Sequence, residues 1–400
     1  MNFLKQLYLI CILLFSIQIS AQDSFVSKYE IPVNNKNYGY RVFIEGVYQR
    51  GNFMQTHEAM ADVLDHKYNA FEYKVGVKTN GTQAWQKIYR YPTFGFGFYG
   101  ADMGTEVLGN PRAVFGFISV PIGRWKKFHL DYDLGAGLAY DWNSYDSINN
   151  PYNFAIGAEK SVYFSLGLKS YLRISKRIDA SLGVEFRHFS NGATHTPNLG
   201  LNLIGADIGL RYNFNPIKNY TKAIDENYQP PIRATYIEPV ISEHIPRNEI
   251  NIFYGPGFKT TDANNYSSPY YFTSTFAIEY MRKINLKRKL GIGLDFMYDQ
   301  SLRERVTDRD YEFSDQFLLG AHASFDLDVA RFSLYAALGA YLYKRDSNVL
   351  GAYYLRVGLK YNITKDDKLW AMVALKTQDG FIADWIEWGI GYRWHKYSKK

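Results

Sequence analysis

The sequence predicts an all-β protein built as a transmembrane antiparallel β-barrel, with about eight strands in each half. The halves would form two tandem barrels or, as the alternative, one barrel of about sixteen strands. Three observations lead there. Aromatic residues make up 17% of the 400 residues, with 35 Tyr and 27 Phe, a load that a barrel concentrates at the two membrane interfaces. Apolar residues alternate instead of clustering, so the mean hydropathy is negative and no run beyond the leader reaches the roughly eighteen residues of a membrane helix. The faces opposite the apolar ones mix glycine with charge. A narrow barrel interior requires that mixture, because charges pair across it and glycines make room.

The first element is a leader. Lys5 precedes an apolar run from Leu7 to Ile17, and Ser20-Ala21 supplies small residues for cleavage. Residues 1–21 therefore read as a secretory signal peptide, too short in its apolar part to span a bilayer. Cleavage would remove Cys11, the only cysteine, and leave a mature chain without thiols despite an oxidising destination. The formal charge of +7 includes Lys5 and falls to +6 without it. Basic loops suit a surface of anionic lipid phosphates, and they serve equally as solvated strand ends.

Residues 22–215 form the first barrel, with strands expected near 38–49, 68–79, 92–100, 111–121, 127–140, 161–174, 178–189 and 203–214. The cleanest is 128-FHLDYDLGAGLAY-140, where Phe128, Leu130, Tyr132 and Leu134 share one face and His129, Asp131, Asp133 and Gly135 the other. In 162-VYFSLGLKSYLRI-174, Ser165, Gly167, Lys169 and Arg173 point inward by the same rule. The proline-bearing stretch 216–248 breaks the pattern and reads as a linker, since proline removes ladder donors. Residues 249–400 repeat the scheme near 249–257, 269–282, 287–299, 315–328, 331–343, 352–363, 368–377 and 383–394.

The halves are weakly similar to each other. Stretch 204-IGADIGLRY-212 aligns with 386-IEWGIGYRW-394, and 184-VEFRHFS-190 with 373-VALKTQD-379. In that register Thr377 stands for His188 and Asp379 for Ser190. The second copy keeps the strands without the chemistry.

The stretch 182-LGVEFRHFSNGATHTPNLGLN-202 carries the chemistry. His188 and Ser190 share the parity of Leu182, Val184 and Phe186, so they face lipid if Glu185 and Arg187 face the interior. Asn202 shares the outward parity of Ile204, Ile208 and Leu210. Asp207 faces inward, where it would pair with arginine. A serine hydroxyl becomes a nucleophile when an imidazole takes its proton, and the imidazole needs a partner to fix its tautomer. His188, Ser190 and Asn202 meet that description on a surface that a membrane lipid can reach. The following turn offers Asn191, Gly192 and Asn198 as donors for a developing oxyanion or for substrate positioning. The competing reading is a polar strand end where the barrel leaves the membrane. His195, in the turn, reads as a solvated loop histidine.

The run 186-FRHFSNGATHTPNLGLN-202 resembles the lipid A 3-O-deacylase (PagL-type) family, also labelled acyloxyacyl hydrolases, in its His-x-Ser-Asn core and the following Pro-Asn-x-Gly. The stretches 84-AWQKIYRYPTFGFGFYG-100 and 151-PYNFAIG-157 are similar to bacteroidete members of that family. The resemblance covers about residues 40–214. It implies an outer-membrane barrel with Ser190 as nucleophile, His188 as base, and Asn191 and Asn198 around the oxyanion hole. One position departs, because Asn202 stands where the family pattern has a glutamate. An amide oxygen can orient the imidazole but brings no full negative charge.

The expected function is an outer-membrane serine esterase that removes an ester-linked acyl chain from lipid A or a related lipid. The alternative is a non-enzymatic barrel, porin-like or structural. No cofactor is expected, nor a nucleic-acid partner. His57 and His66 lack the HExxH spacing of a metal hydrolase, and their segment reads as an extracellular loop with a short helical turn.

Overall fold

The computed structural model describes residues 41–54, 58–79, 83–125, 127–175, 177–214, 247–261, 268–304, 310–345, 351–379 and 382–396. The leader lies outside these residues, as do His57 and the expected linker as far as 246; from Arg247 the chain is strand.

Two closed eight-stranded barrels form, each an antiparallel meander. The first runs β1 (Arg41–Phe53), β2 (Lys67–Lys78), β3 (Thr93–Asp102), β4 (Gly109–Arg124), β5 (Phe128–Trp142), β6 (Ser161–Arg173), β7 (Ile178–Ser190) and β8 (Leu201–Asn213). It closes by pairing β1 with β8, Glu45 opposite Arg211. The second runs β9 (Arg247–Lys259), β10 (Tyr271–Lys283), β11 (Arg288–Asp299), β12 (Phe317–Val329), β13 (Phe332–Tyr343), β14 (Tyr353–Asn362), β15 (Leu369–Gln378) and β16 (Ile382–Lys396). It closes between β16 and β9. The two-barrel arrangement thus holds over the sixteen-stranded alternative. One short helix, α1 (Ala84–Ile88), sits in the β2–β3 connection, and a 3-10 turn at Glu58–Met60 occupies the β1–β2 loop.

Period-two burial follows the sequence pattern. Leu182, Val184, Ile208 and Leu210 are exposed on the outer wall, while Glu185, Arg187, Asp207 and Arg211 are buried inside. The interior is a paired charge lattice. Arg187 meets Glu72 at 2.7 Å, and Arg211 meets Glu45 at 2.7 Å. Lys169 lies 3.0 Å from Asp207, 3.4 Å from Glu185, 3.6 Å from Glu72 and 3.9 Å from Asp133. The partner of Asp207 is therefore a lysine. The expected partner was an arginine, and the arginine on the same strand, Arg211, is taken by Glu45, its direct neighbour across the closing pair. Gly183 admits this crowding, since a Cβ there would come within 2.4 Å of Asp207 and 2.7 Å of Lys169.

The second barrel is filled in the same way. His322 contacts Asp295 at 2.7 Å, Arg356 reaches Asp295 at 3.0 Å and Glu387 at 2.8 Å, and Lys259 meets Asp299 at 2.7 Å.

Removing one member of such a lattice leaves buried charge uncompensated, a loss of about 3–5 kcal/mol. Lys169→Met is expected to destabilise the first barrel by that amount, because four carboxylates share its ammonium. A lower midpoint for loss of the compact, heat-modifiable form on gels would report it. An unchanged midpoint would show that Lys74 and Arg187 suffice.

Candidate active site

Strands β7 and β8 place His188 opposite Asn202 and Phe189 opposite Leu201. Phe189 fixes this register. Its ring is fully buried inside the barrel, 5.0 Å from Trp142 and 5.4 Å from Tyr163 between centroids. A one-residue slip would expel it and turn His188 and Ser190 inward. With Phe189 inside, both neighbours point out.

His188 Nδ1 lies 2.7 Å from Asn202 Oδ1. An amide oxygen only accepts, so Nδ1 carries the proton and Nε2 is the ring's acceptor, with no hydrogen bond to it among the described residues. Gly200, at φ +73°, flanks the ring; a Cβ there would sit 3.1 Å from His188 Cε1. Gly200→Ala is expected to lower activity about tenfold, through backbone strain of order 1 kcal/mol and displacement of the imidazole. Hydrolysis per folded molecule, scored by heat-modifiability, would measure this. Full activity would show that the ring tolerates the push.

Ser190 is outward by parity yet only 7% exposed, because the turn that follows folds over it. Its Oγ accepts hydrogen bonds from Asn198 Nδ2 at 2.9 Å and from the Gly192 N–H at 3.2 Å. The hydroxyl faces Asn198 Oδ1 at 3.3 Å. Among the described residues no hydrogen bond joins His188 to Ser190. Asn191 braces the turn, its N–H donating to Asn198 Oδ1 at 3.0 Å and its side chain to the His195 carbonyl at 2.8 Å. Gly192 and Asn198 are thus the donors that reach Ser190, and Asn191 holds them.

The stretch 151-PYNFAIG-157 supports the same turn from the β5–β6 loop. Leu199 and Gly200 donate their N–H groups to the Phe154 and Ala155 carbonyls at 3.0 and 3.1 Å. Asn153 is buried and donates to the Asn143 carbonyl at 2.6 Å. His195 is exposed, and its ring lies 3.0 Å from the Tyr270 hydroxyl of the second half.

In the second barrel, the β15–β16 pairing shifts register between Lys376 and Thr377. Thr377 is buried and bonds to the Leu355 backbone, and Asp379 lies in the turn just past the strand at φ +49°. The positions matching His188 and Ser190 do not form an outward pair. Among the described residues, no group of three or more His, Cys, Asp or Glu could hold a metal.

Closed barrels with apolar outer walls and charged interiors define an outer-membrane-type β-barrel protein, here with histidine and serine on the outer wall of the first barrel. Residues 69–211 match the family described as lipid A 3-O-deacylase (PagL), and residues 248–396 match acyloxyacyl hydrolase, C-terminal domain. The chain belongs to the PagL-type lipid A 3-O-deacylase family and is an acyl ester hydrolase, each match falling on one barrel. No curated protein matches it. Among solved structures it is similar to Neisserial surface protein A at 7% identity and TM-score 0.31, over 43% of this chain and 97% of that one. It is also similar to CdiB from Acinetobacter baumannii at 9% identity and TM-score 0.18, over 89% of this chain and 60% of that one.

Two parts of the site are not legible from the motif alone: the seat of Gly200 against the imidazole and the contacts from the second half. Gly200 is the glycine of Pro-Asn-x-Gly, and its place two residues before Asn202 is the signal that the sequence carries for it. The contacts of the second half with the turn have none.

Proposed function

We propose that Ser190 is the nucleophile, His188 the general base and Asn202 the group that orients it, in removal of an ester-linked acyl chain from lipid A in the outer membrane. The observation that carries this reading is the common outward direction of the three residues, with His188 Nδ1 held by Asn202 at 2.7 Å. Ser190 Oγ turns from Asn198 towards Nε2 of His188, a tightening common when substrate arrives. His188 takes the hydroxyl proton as Oγ attacks the acyl carbonyl. The oxyanion then accepts hydrogen bonds from the Gly192 N–H and the Asn198 amide, which lie within 3.2 Å of Oγ. Collapse expels the lipid alcohol, which receives the proton from His188, and water enters to release the fatty acid. The apolar outer wall seats the chains of a substrate that never leaves the bilayer.

The test is product analysis. Purified full-length protein in detergent micelles with lipid A should release one fatty acid and leave lipid A lighter by that chain in the mass spectrum. Intact lipid A, together with ion conductance in planar bilayers, would instead favour a porin-like role. The second barrel should supply no second reactive pair, given Thr377 and Asp379 at the matching positions. Asp379→Ala is expected to leave the deacylation rate unchanged, and a large loss would reveal chemistry in that half.

A further inference from the structure

The Ser190 turn is fastened to the second barrel, at the connection after β9 and at the outer wall of β15 and β16. Thr260 donates its N–H to the Ala193 carbonyl at 3.0 Å, and the Thr196 hydroxyl donates to the Thr261 carbonyl at 2.6 Å. Gly192 lies against β15 and β16. A Cβ there would come within 2.5 Å of Ile386 Cγ1, 2.6 Å of Ile386 Cδ1 and 3.5 Å of Leu375 Cδ1. Leu375 and Ile386 are register partners on the outer wall, half-buried here, while Trp388 and Ile390 beyond them are 61% and 59% exposed. Glycine is required at 192 twice over, by its φ of +65° and by this close approach. A second anchor lies apart from the turn, where the Tyr89 hydroxyl donates to the Asp328 carbonyl at 2.7 Å and Tyr89 packs with Val120 and Leu327. Two separated anchors resist rocking of one barrel on the other.

We propose that the second barrel is a working part of the active site, with Ile386 the positioning residue that backs the Gly192 oxyanion donor. The inference rests on Ser190 being the nucleophile. A donor accelerates acyl transfer only if it is already aimed when charge develops, because reorienting it during the reaction forfeits the gain. Gly192 belongs to a turn that Asn191 and Asn198 close from one side, and Ile386 is what backs it on the other. Ile386 closes the space behind it, and the Thr260 and Thr261 contacts hold the turn's descending limb. The family's C-terminal domain then acts through geometry, without a reactive group of its own.

Such a role acts on the transition state, so its loss lowers kcat and spares KM. In the full chain, Ile386→Ala and Thr196→Val are each expected to cut kcat about tenfold or more with KM within about twofold. Ile386→Leu should restore most of the rate. Labelling of Ser190 by a fluorophosphonate probe should slow by a similar factor, since that reaction uses the same oxyanion donors. Ile292→Ala, an outward residue of β11 that is 67% exposed, should change nothing. Unaltered kcat and labelling in both Ile386→Ala and Thr196→Val would overturn the inference and leave the Ser190 reading intact. A raised KM at constant kcat would also overturn it, by making this wall a binding surface. Wild-type protein that deacylates lipid A without labelling at Ser190 would bring down the nucleophile assignment and this inference together.

Discussion

Ser190→Ala and His188→Ala are each expected to reduce lipid A deacylation by about 10⁴-fold or more, and the double variant should lose no more than either alone. The two act as one unit. Without the imidazole the hydroxyl keeps its proton, and without the hydroxyl the imidazole has no nucleophile to activate. Both variants should still fold, because neither side chain belongs to the interior lattice that holds the barrel. His188 and Ser190 lie on the outer face, whereas Arg187 before them and Phe189 between them face inward and are fully buried. Fatty-acid release from lipid A measures the loss, and heat-modifiable migration checks the fold. Deacylation that survives Ser190→Ala would sink the serine mechanism. The hydrogen bonds from Asn198 and Gly192 to Ser190 Oγ would then be no more than a turn closure.

Asn202→Ala is expected to lower the rate by about ten- to a hundredfold, less than loss of the nucleophile, because a neutral amide orients the ring without stabilising its charged form. With the 2.7 Å contact to His188 Nδ1 gone, the imidazole can rotate and take the other tautomer. Asn202→Glu should keep or raise the rate, since a carboxylate both orients the ring and stabilises the imidazolium. Asn202 faces outward, directly opposite His188 in the ladder, so the substitution adds no charge to the packed interior. Release of fatty acid under saturating lipid A is the measurement. A fall in rate for Asn202→Glu comparable with Asn202→Ala would show that the site is shaped for an amide. In that case the departure from the family's glutamate would be a requirement of this chain.

The strands were legible because their signal is local. A pleated chain alternates its side chains whatever lies across from it, so the direction of His188, Ser190 and Asn202 followed from parity with Val184 and Ile204 alone. The expected spans differ from the folded ones mostly by one to four residues at their ends, as with β1, expected over 38–49 and found at Arg41–Phe53. The hydrogen-bonded pair His188–Asn202 also followed, once β7 and β8 were joined by one turn.

Contacts between residues distant in sequence were not legible, because barrel closure and strand tilt decide them. Parity put Asp207 inside, but nothing local distinguishes Lys169 from Arg211 as its partner. The tilt carries Lys169 within 4 Å of four carboxylates at once, while Arg211 meets Glu45 on the closing strand. The register shift before Thr377 is likewise a property of how β15 meets β16. The seat of Gly192 on Ile386 depends on how two barrels lie together, separated by nearly two hundred residues of chain. Alternation is written into each strand by backbone sterics, so the chain alone settles which side chains face lipid. Which of them touch is set by closure, shear and docking, whose energies are shared among many strands and reside in no single stretch of sequence.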